Sequence, residues 1–102
     1  MPEDATVTCH TPTIGRDGVT RIPKWKYDCV RTAILEVLNQ APDNTALFKN
    51  LASFVKPHLT DQQLARLGSL NWHVTTVKLN MEVDREIERV PSRVPQALRI
   101  PN

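Results

Sequence analysis

Residues 69–89 read SLNWHVTTVKLNMEVDREIER and contain the sharpest change of period in the chain. Apolar side chains first recur there at spacings of three and four, which predicts one buried face of a helix. Ser69 can cap this helix, which we expect to run from Leu70 to about Val83. From Ile87 the pattern becomes extended, so the segment predicts a helix that leads directly into a strand. The predicted buried face of the helix consists of Leu70, Val74, Val77 and Met81.

The same helix carries a second apolar stripe on nearly the opposite face, formed by Trp72, Leu79 and Val83. A helix that is apolar on two sides is usually buried on two sides. Two covers for this stripe remain open, namely the N-terminal arm of the chain and a second copy of it. Polar residues form two strips between the apolar faces: Asn71, Thr75, Lys78 and Glu82 on one side, and His73, Asn80 and Asp84 on the other.

Three more helices are predicted upstream. Residues 24–39 carry one apolar stripe, and residues 45–55 carry another, with Thr45 as the expected N-cap. Thr60 and Gln63 have the spacing of a capping box, which starts a short helix. We expect the hydrophobic core to contain Val30, Ile34, Val37, Leu38, Phe48, Leu51, Leu64, Val77, Met81 and Ile87.

Proline, glycine and turn residues predict where the helices end and where the strands lie. Pro57 closes the second helix, and Gly68 suits the residue after the third. Residues 91–95 form a proline-bearing turn between two short extended runs, which predicts a C-terminal β-hairpin, and residues 19–22 are a further short strand that could join it. Residues 1–19, with a turn signal at 15–18, form an extended arm, and residues 20–102 form one α+β domain.

The segment from Met81 to Arg89 resembles the end of a recognition helix that runs into a wing, where winged-helix regulators show Leu-x-x-x-Gly-x-Ile-x-Arg. The chain is similar to a family of small bacterial winged-helix proteins over Lys26–Leu38, Trp72–Glu82 and Ile87–Arg99. This resemblance implies a core of three or four helices with a C-terminal wing. Arg85 replaces the glycine of the pattern, so it must either adopt a left-handed conformation or change the turn.

The net charge and the motifs of the chain make several classes of function less expected. Thirteen basic against eleven acidic residues give a net charge of +2, which does not by itself indicate a polyanion partner. The sequence has no catalytic motif, no zinc-ligand spacing and no apolar run of about 20 residues that could cross a membrane. We therefore expect a cytoplasmic, non-enzymatic protein with free thiols at Cys9 and Cys29, and without metal, cofactor or small-molecule substrate.

Two functions are favoured, and an enzyme of unknown type is a third, less favoured class. The first is a DNA-binding module, such as a transcriptional regulator, that acts on double-stranded DNA as a homodimer. The second is a protein–protein interaction or dimerisation module that keeps the winged-helix shape without binding DNA. The residues expected to contact DNA are Asn71, Thr75 and Lys78 on the fourth helix and Arg89 and Arg93 on the wing, and those expected at an interface are Trp72, Leu79 and Val83.

Overall fold

The computed structural model describes residues 5–10, 19–92 and 94–101, which form an α+β fold of four α-helices and two small antiparallel sheets. Short 3-10 turns at Pro42–Asn44 and Lys56–His58 flank the second helix. The helices are α1 (Lys24–Gln40), α2 (Phe48–Val55), α3 (Asp61–Leu67) and α4 (Leu70–Val83), and the strands are β1 (Thr6–His10), β2 (Val19–Pro23), β3 (Thr45–Leu47), β4 (Glu88–Arg89) and β5 (Ala97–Arg99).

The first sheet joins β1 to β2 as an antiparallel pair. The strand predicted at residues 19–22 is confirmed, but its partner is β1 rather than the C-terminal hairpin. The pair of β1 and β2 packs on α4 through β1, and the His10 backbone N–H donates to Asn80 Oδ1 at 2.9 Å. Residues 6–10 of the expected arm are thus a strand, whereas the predicted turn at 15–18 lies outside the described residues. The boundary at residue 19 stays a prediction.

The second sheet has the order β3–β5–β4, with both pairs antiparallel. Its strands β4 and β5 confirm the two extended runs predicted at the C-terminus. The prediction that Thr45 caps a helix is wrong, because residues 45–47 form β3 and α2 begins only at Phe48. Thr45 pairs with Arg99 in this sheet, and the ladder outweighs the local capping preference of a β-branched residue that also suits strands.

Local signals set most helix ends. The capping box at α3 is confirmed, because Gln63 N–H donates to Thr60 Oγ1 at 3.0 Å and Thr60 N–H donates to Gln63 Oε1 at 2.9 Å. Ser69 Oγ accepts from the Trp72 N–H at 3.1 Å and so caps α4 as predicted. Gly68 ends α3 with a φ of 84°, and Arg85 adopts the left-handed conformation with a φ of 62°.

The core forms where α1 packs against α4, with α2 and the two sheets closing its sides. All the predicted core residues are buried except Phe48 and Leu64, which are partly buried and pack against the core. Cys9 and Ile22 join the core from the N-terminal hairpin, and Leu98 joins it from β5. The core therefore needs residues from both sheets as well as from the predicted helix faces.

Candidate functional site

The outward face of α4, formed by Trp72, Thr76, Leu79 and Val83, is the surface that the sequence leaves unexplained. Trp72 is 47% exposed and Val83 is 39% exposed, whereas Thr76 and Leu79 are partly buried. All four side chains are uncharged. The predicted second stripe therefore lies away from the core, and the site predictions for Trp72, Leu79 and Val83 stay predictions about what covers it.

Lys78, one of the residues predicted to contact DNA, is buried in the structure. Its side chain is only 2% exposed, and Nζ donates to Glu82 Oε2 at 2.7 Å and to Gln96 Oε1 at 2.8 Å. The ammonium also lies 4.5 Å from the centroid of the Phe48 ring. Burial lowers the pKa of Lys78, and the hydrogen bond that Lys78 donates to Glu82 opposes that shift. Gln96, directly before β5, and Phe48 of α2 contact the Lys78 ammonium, so this side chain links α4 to both of these elements.

The same network joins β4 to α4. Arg89 Nε donates to Glu82 Oε1 at 2.7 Å, with the Glu82 side chain 8% exposed and the Arg89 side chain 49% exposed. Glu82 thus bridges a buried lysine and a surface arginine. Arg89 remains at the surface, but its guanidinium already has an anionic partner. Arg93, the other wing residue predicted to contact DNA, lies outside the described residues.

The second polar strip of α4 is also largely internal. Asn80 is 4% exposed, and its Nδ2 donates to the Tyr27 hydroxyl at 2.8 Å while its Oδ1 accepts from His10. His73 is buried, with Nδ1 2.7 Å from the Ser69 carbonyl oxygen. Burial raises the pKa of Tyr27, although its hydrogen bond with Asn80 lowers it in part. Polar side chains on both flanks of α4 therefore make their hydrogen bonds within the chain.

Asn71 and Thr75 are less buried than Lys78. Asn71 is exposed near the start of α4, and Thr75 is partly buried one turn further along. Both line a shallow depression beside Phe48 and Ala52. Of the predicted DNA contacts on α4, these are the two that the structure leaves at the surface.

The basic residues around α1 are partly neutralised. Lys24 Nζ donates to Asp28 at 2.6 Å, and Arg31 Nε donates to Glu86 Oε2 at 2.8 Å. The hydrogen bond with Glu86 raises the pKa of Arg31 further. These contacts indicate a mixed-charge surface on this side of the molecule.

The network around Lys78 is not predicted from the sequence, although one of its contacts has a local signal. Lys78 and Glu82 stand four residues apart, the spacing at which opposite charges meet on a helix. That spacing alone indicates a surface pair, and it does not reveal Gln96, which lies 18 residues further along the chain and accepts a hydrogen bond from Lys78. The bond from Asn80 to Tyr27 has no such signal, since its partners are 53 residues apart.

Both cysteines are free thiols, with Cys9 buried and Cys29 partly buried. Burial is the main cause that raises the pKa of each, which disfavours the reactive thiolate. Across the described ranges, no three His, Cys, Asp or Glu side chains are placed to hold a metal ion. Those ranges also contain no helix of the length and apolarity that a membrane span requires.

The comparisons with known proteins identify a family. The sequence profile described as "Family of unknown function (DUF6958)" matches residues 6–98, which include every element from β1 to most of β5. No curated protein and no solved structure matches the chain. The matched range covers most of the sequence, and the chain therefore belongs to the DUF6958 family of unknown function.

Proposed function

We propose that the protein is a non-enzymatic protein-interaction module built on a winged-helix framework, and that its partner binds the outward face of α4. The observation that carries this proposal is the exposure of Trp72 and Val83 on a helix face without charged side chains. Apolar patches of this kind tend to mark interfaces, and tryptophan is enriched among the residues that dominate binding energy.

The winged-helix part of the proposal is supported by the order of the elements. The helices end with α4, which runs through a turn at Arg85 into the antiparallel strands β4 and β5. The buried Lys78 and the pair Glu82–Arg89 hold these strands against α4. This arrangement fits a recognition helix followed by a wing, in agreement with the resemblance of the segment from Met81 to Arg89.

The electrostatics of α4 favour a protein partner over DNA. A recognition helix reads bases with Arg, Lys, Asn or Gln side chains that reach into the major groove. The lysine of α4 is buried, and the arginine nearest to it on the wing is paired with Glu82. A duplex that approached the outward face of α4 would desolvate Trp72 and Val83 against phosphates and polar base edges. A protein surface can cover the same side chains with apolar groups.

DNA binding is the second candidate, as a regulator that reads double-stranded DNA. Its support is the exposed Asn71 near the N-terminal end of α4, the part of a recognition helix that contacts base edges. In that case duplex affinity should fall steeply with salt, and Asn71→Ala should weaken binding. Arg93→Ala should flatten the salt dependence by about one unit, because one phosphate contact is lost.

Photo-crosslinking of the full chain in its native host tests the proposal. A benzophenone amino acid at position 76 lies in the centre of the outward face of α4, and the same residue at position 62 is the control because Gln62 is exposed on α3. We expect a discrete protein adduct from position 76 that position 62 does not give. The absence of such an adduct would refute the proposal, and so would strong duplex binding that Asn71→Ala abolishes.

A further inference from the structure

We infer that the protein has a separate binding site, at which an extended peptide from another protein adds as a strand to the free edge of β3. The peptide places one apolar side chain in the cleft beside β3 and carries a basic residue next to it. The inference goes beyond the proposed function, because this site shares no residue with the outward face of α4.

The strand β3 lies at the edge of its sheet. Among the described strands, β5 alone pairs with it. The Phe48 N–H, one residue beyond β3, donates to the Gln96 carbonyl oxygen at 2.9 Å and so points towards β5. Because the backbone groups of successive residues in an antiparallel strand point to alternate sides, those of Thr45 and Leu47 point away from β5.

Two of the four backbone groups on this edge are open to a ligand. The Thr45 N–H donates to the Pro42 carbonyl oxygen, and the Leu47 carbonyl belongs to the N-cap of α2, where it accepts from the first turn of the helix. The Thr45 carbonyl oxygen and the Leu47 N–H have no hydrogen-bond partner within the described part of the chain. They flank Ala46 on one side of the strand. An unpaired acceptor and donor at this spacing match the backbone of an added peptide strand.

A cleft of about 430 Å³ lies beside β3, between α2 and the end of α1. Its volume is within the range of about 300–1,000 Å³ that is usual for ligand sites. Its apolar lining includes Val37, Ala46 and Phe54, and Phe54 is 48% exposed. A peptide residue opposite Ala46 turns its side chain to the same face of the sheet as Ala46 does. That side chain enters the cleft, whichever direction the peptide runs.

The charge around the cleft favours a basic residue next to the apolar one. Among the described lining residues there is no Lys, Arg, Asp or Glu, and His58 is paired with the exposed Glu36 at 3.5 Å. Helix α1 ends at Gln40, which borders the cleft, and its last turn has no basic residue to balance the partial negative charge there. Asp43 is exposed two residues before β3. A Lys or Arg side chain of the peptide therefore meets complementary charge.

Leu47→Pro tests the backbone contact. Proline removes the Leu47 N–H but suits the backbone, because the φ of Leu47 is −72° and the proline ring fixes φ at about −65°. Leu47→Ala is the matched control, since it shortens the same side chain and keeps the N–H. The probe is a phage-displayed library of short random peptides, selected on the full wild-type chain. We expect enriched peptides with an apolar residue beside Lys or Arg, and Leu47→Pro should bind them about 10-fold more weakly than Leu47→Ala.

Phe54→Ala tests the cleft and does not depend on the proline variant being folded. It removes an exposed aromatic side chain from the lining and should weaken the same peptides by about 10-fold or more. Gln62→Ala, on exposed α3, should leave their affinity unchanged. Circular dichroism checks that each variant keeps the helix content of wild type.

Several results would overturn the inference. These are a selection that enriches no peptide or only acidic ones, and peptides that bind Leu47→Pro as well as Leu47→Ala or that tolerate Phe54→Ala. A wild-type dimer in sedimentation that Leu47→Pro dissociates would assign the edge of β3 to a second copy of the chain, and would overturn it as well. None of these measurements involves the outward face of α4, so this inference and the proposed function fail separately.

Discussion

Replacing the buried Lys78 with methionine should destabilise the fold, because this ammonium joins α4 to Gln96 at the start of β5. Lys78→Met keeps the aliphatic stem and removes the hydrogen bonds to Glu82 and Gln96 and the contact with the Phe48 ring. A hydrogen bond to a charged group contributes about 1.5–3 kcal/mol. A desolvated cation–π contact contributes about 2 kcal/mol at most. These losses are partly offset, because the variant no longer pays the desolvation cost of a buried charge.

The loss is limited because Glu82 keeps a second cationic partner, Arg89. A buried pair that loses one partner entirely is destabilised by about 3–5 kcal/mol, so we expect a smaller loss of about 2 kcal/mol for Lys78→Met. In a domain of this size, that corresponds to a fall in Tm of roughly 8–16 °C. The additional substitution Glu82→Gln removes the leftover charge, so the double variant should lose less than the sum of the two single changes.

Denaturant unfolding followed by circular dichroism measures these values, with Lys49→Met as the control at an exposed lysine. Lysine acylation followed by mass spectrometry supplies a second reading, since Lys78 should react far more slowly than Lys49 in the folded chain. A loss below about 0.5 kcal/mol for Lys78→Met, the size expected of a surface substitution, would refute the reasoning. Equal acylation rates at the two lysines would refute the burial itself.

Three other properties can be checked in the same way. Ile34→Ala removes a fully buried side chain from α1 and should cost about 2–5 kcal/mol in denaturant melts, and a loss under about 1 kcal/mol would mean that α1 turns another face to the core. Thr60→Ala removes the side-chain cap of α3 and should cost about 1 kcal/mol, whereas Thr60→Ser should keep most of it. Burial and Asp84 raise the pKa of Cys9 above its ordinary value of 9.0, so the native chain keeps a proton that the unfolded chain loses. The resulting stability is fully present below pH 9.0 and is lost as the pH rises, and melts of Cys9→Ala from pH 8 to 11 should show a shallower decline than wild type if this holds.

The sequence by itself determined the elements whose causes lie within a few residues. The capping box of Thr60 and Gln63 and the cap at Ser69 involve partners three residues apart, and their hydrogen bonds form as predicted. The apolar period likewise identified the buried faces of α1 and α4. It also separated the outward face of α4 from the core face, because an angle of about 100° per residue places Trp72 opposite Val74 and Met81.

The tertiary structure decided the features whose partners are distant in the chain. Residues 45–47 form a strand because Thr45 pairs with Arg99, which no local pattern around Thr45 reveals. Lys78 is buried because Gln96, directly before β5, and Phe48 of α2 pack over it, although its position in the sequence is that of a polar surface residue. A short-range signal specifies the conformation of a segment, but the burial of a side chain depends on which distant segment packs against it. Because of this long-range packing, a lysine expected to contact DNA is buried and hydrogen-bonded within the chain, whereas the outward face of α4 lies at the surface.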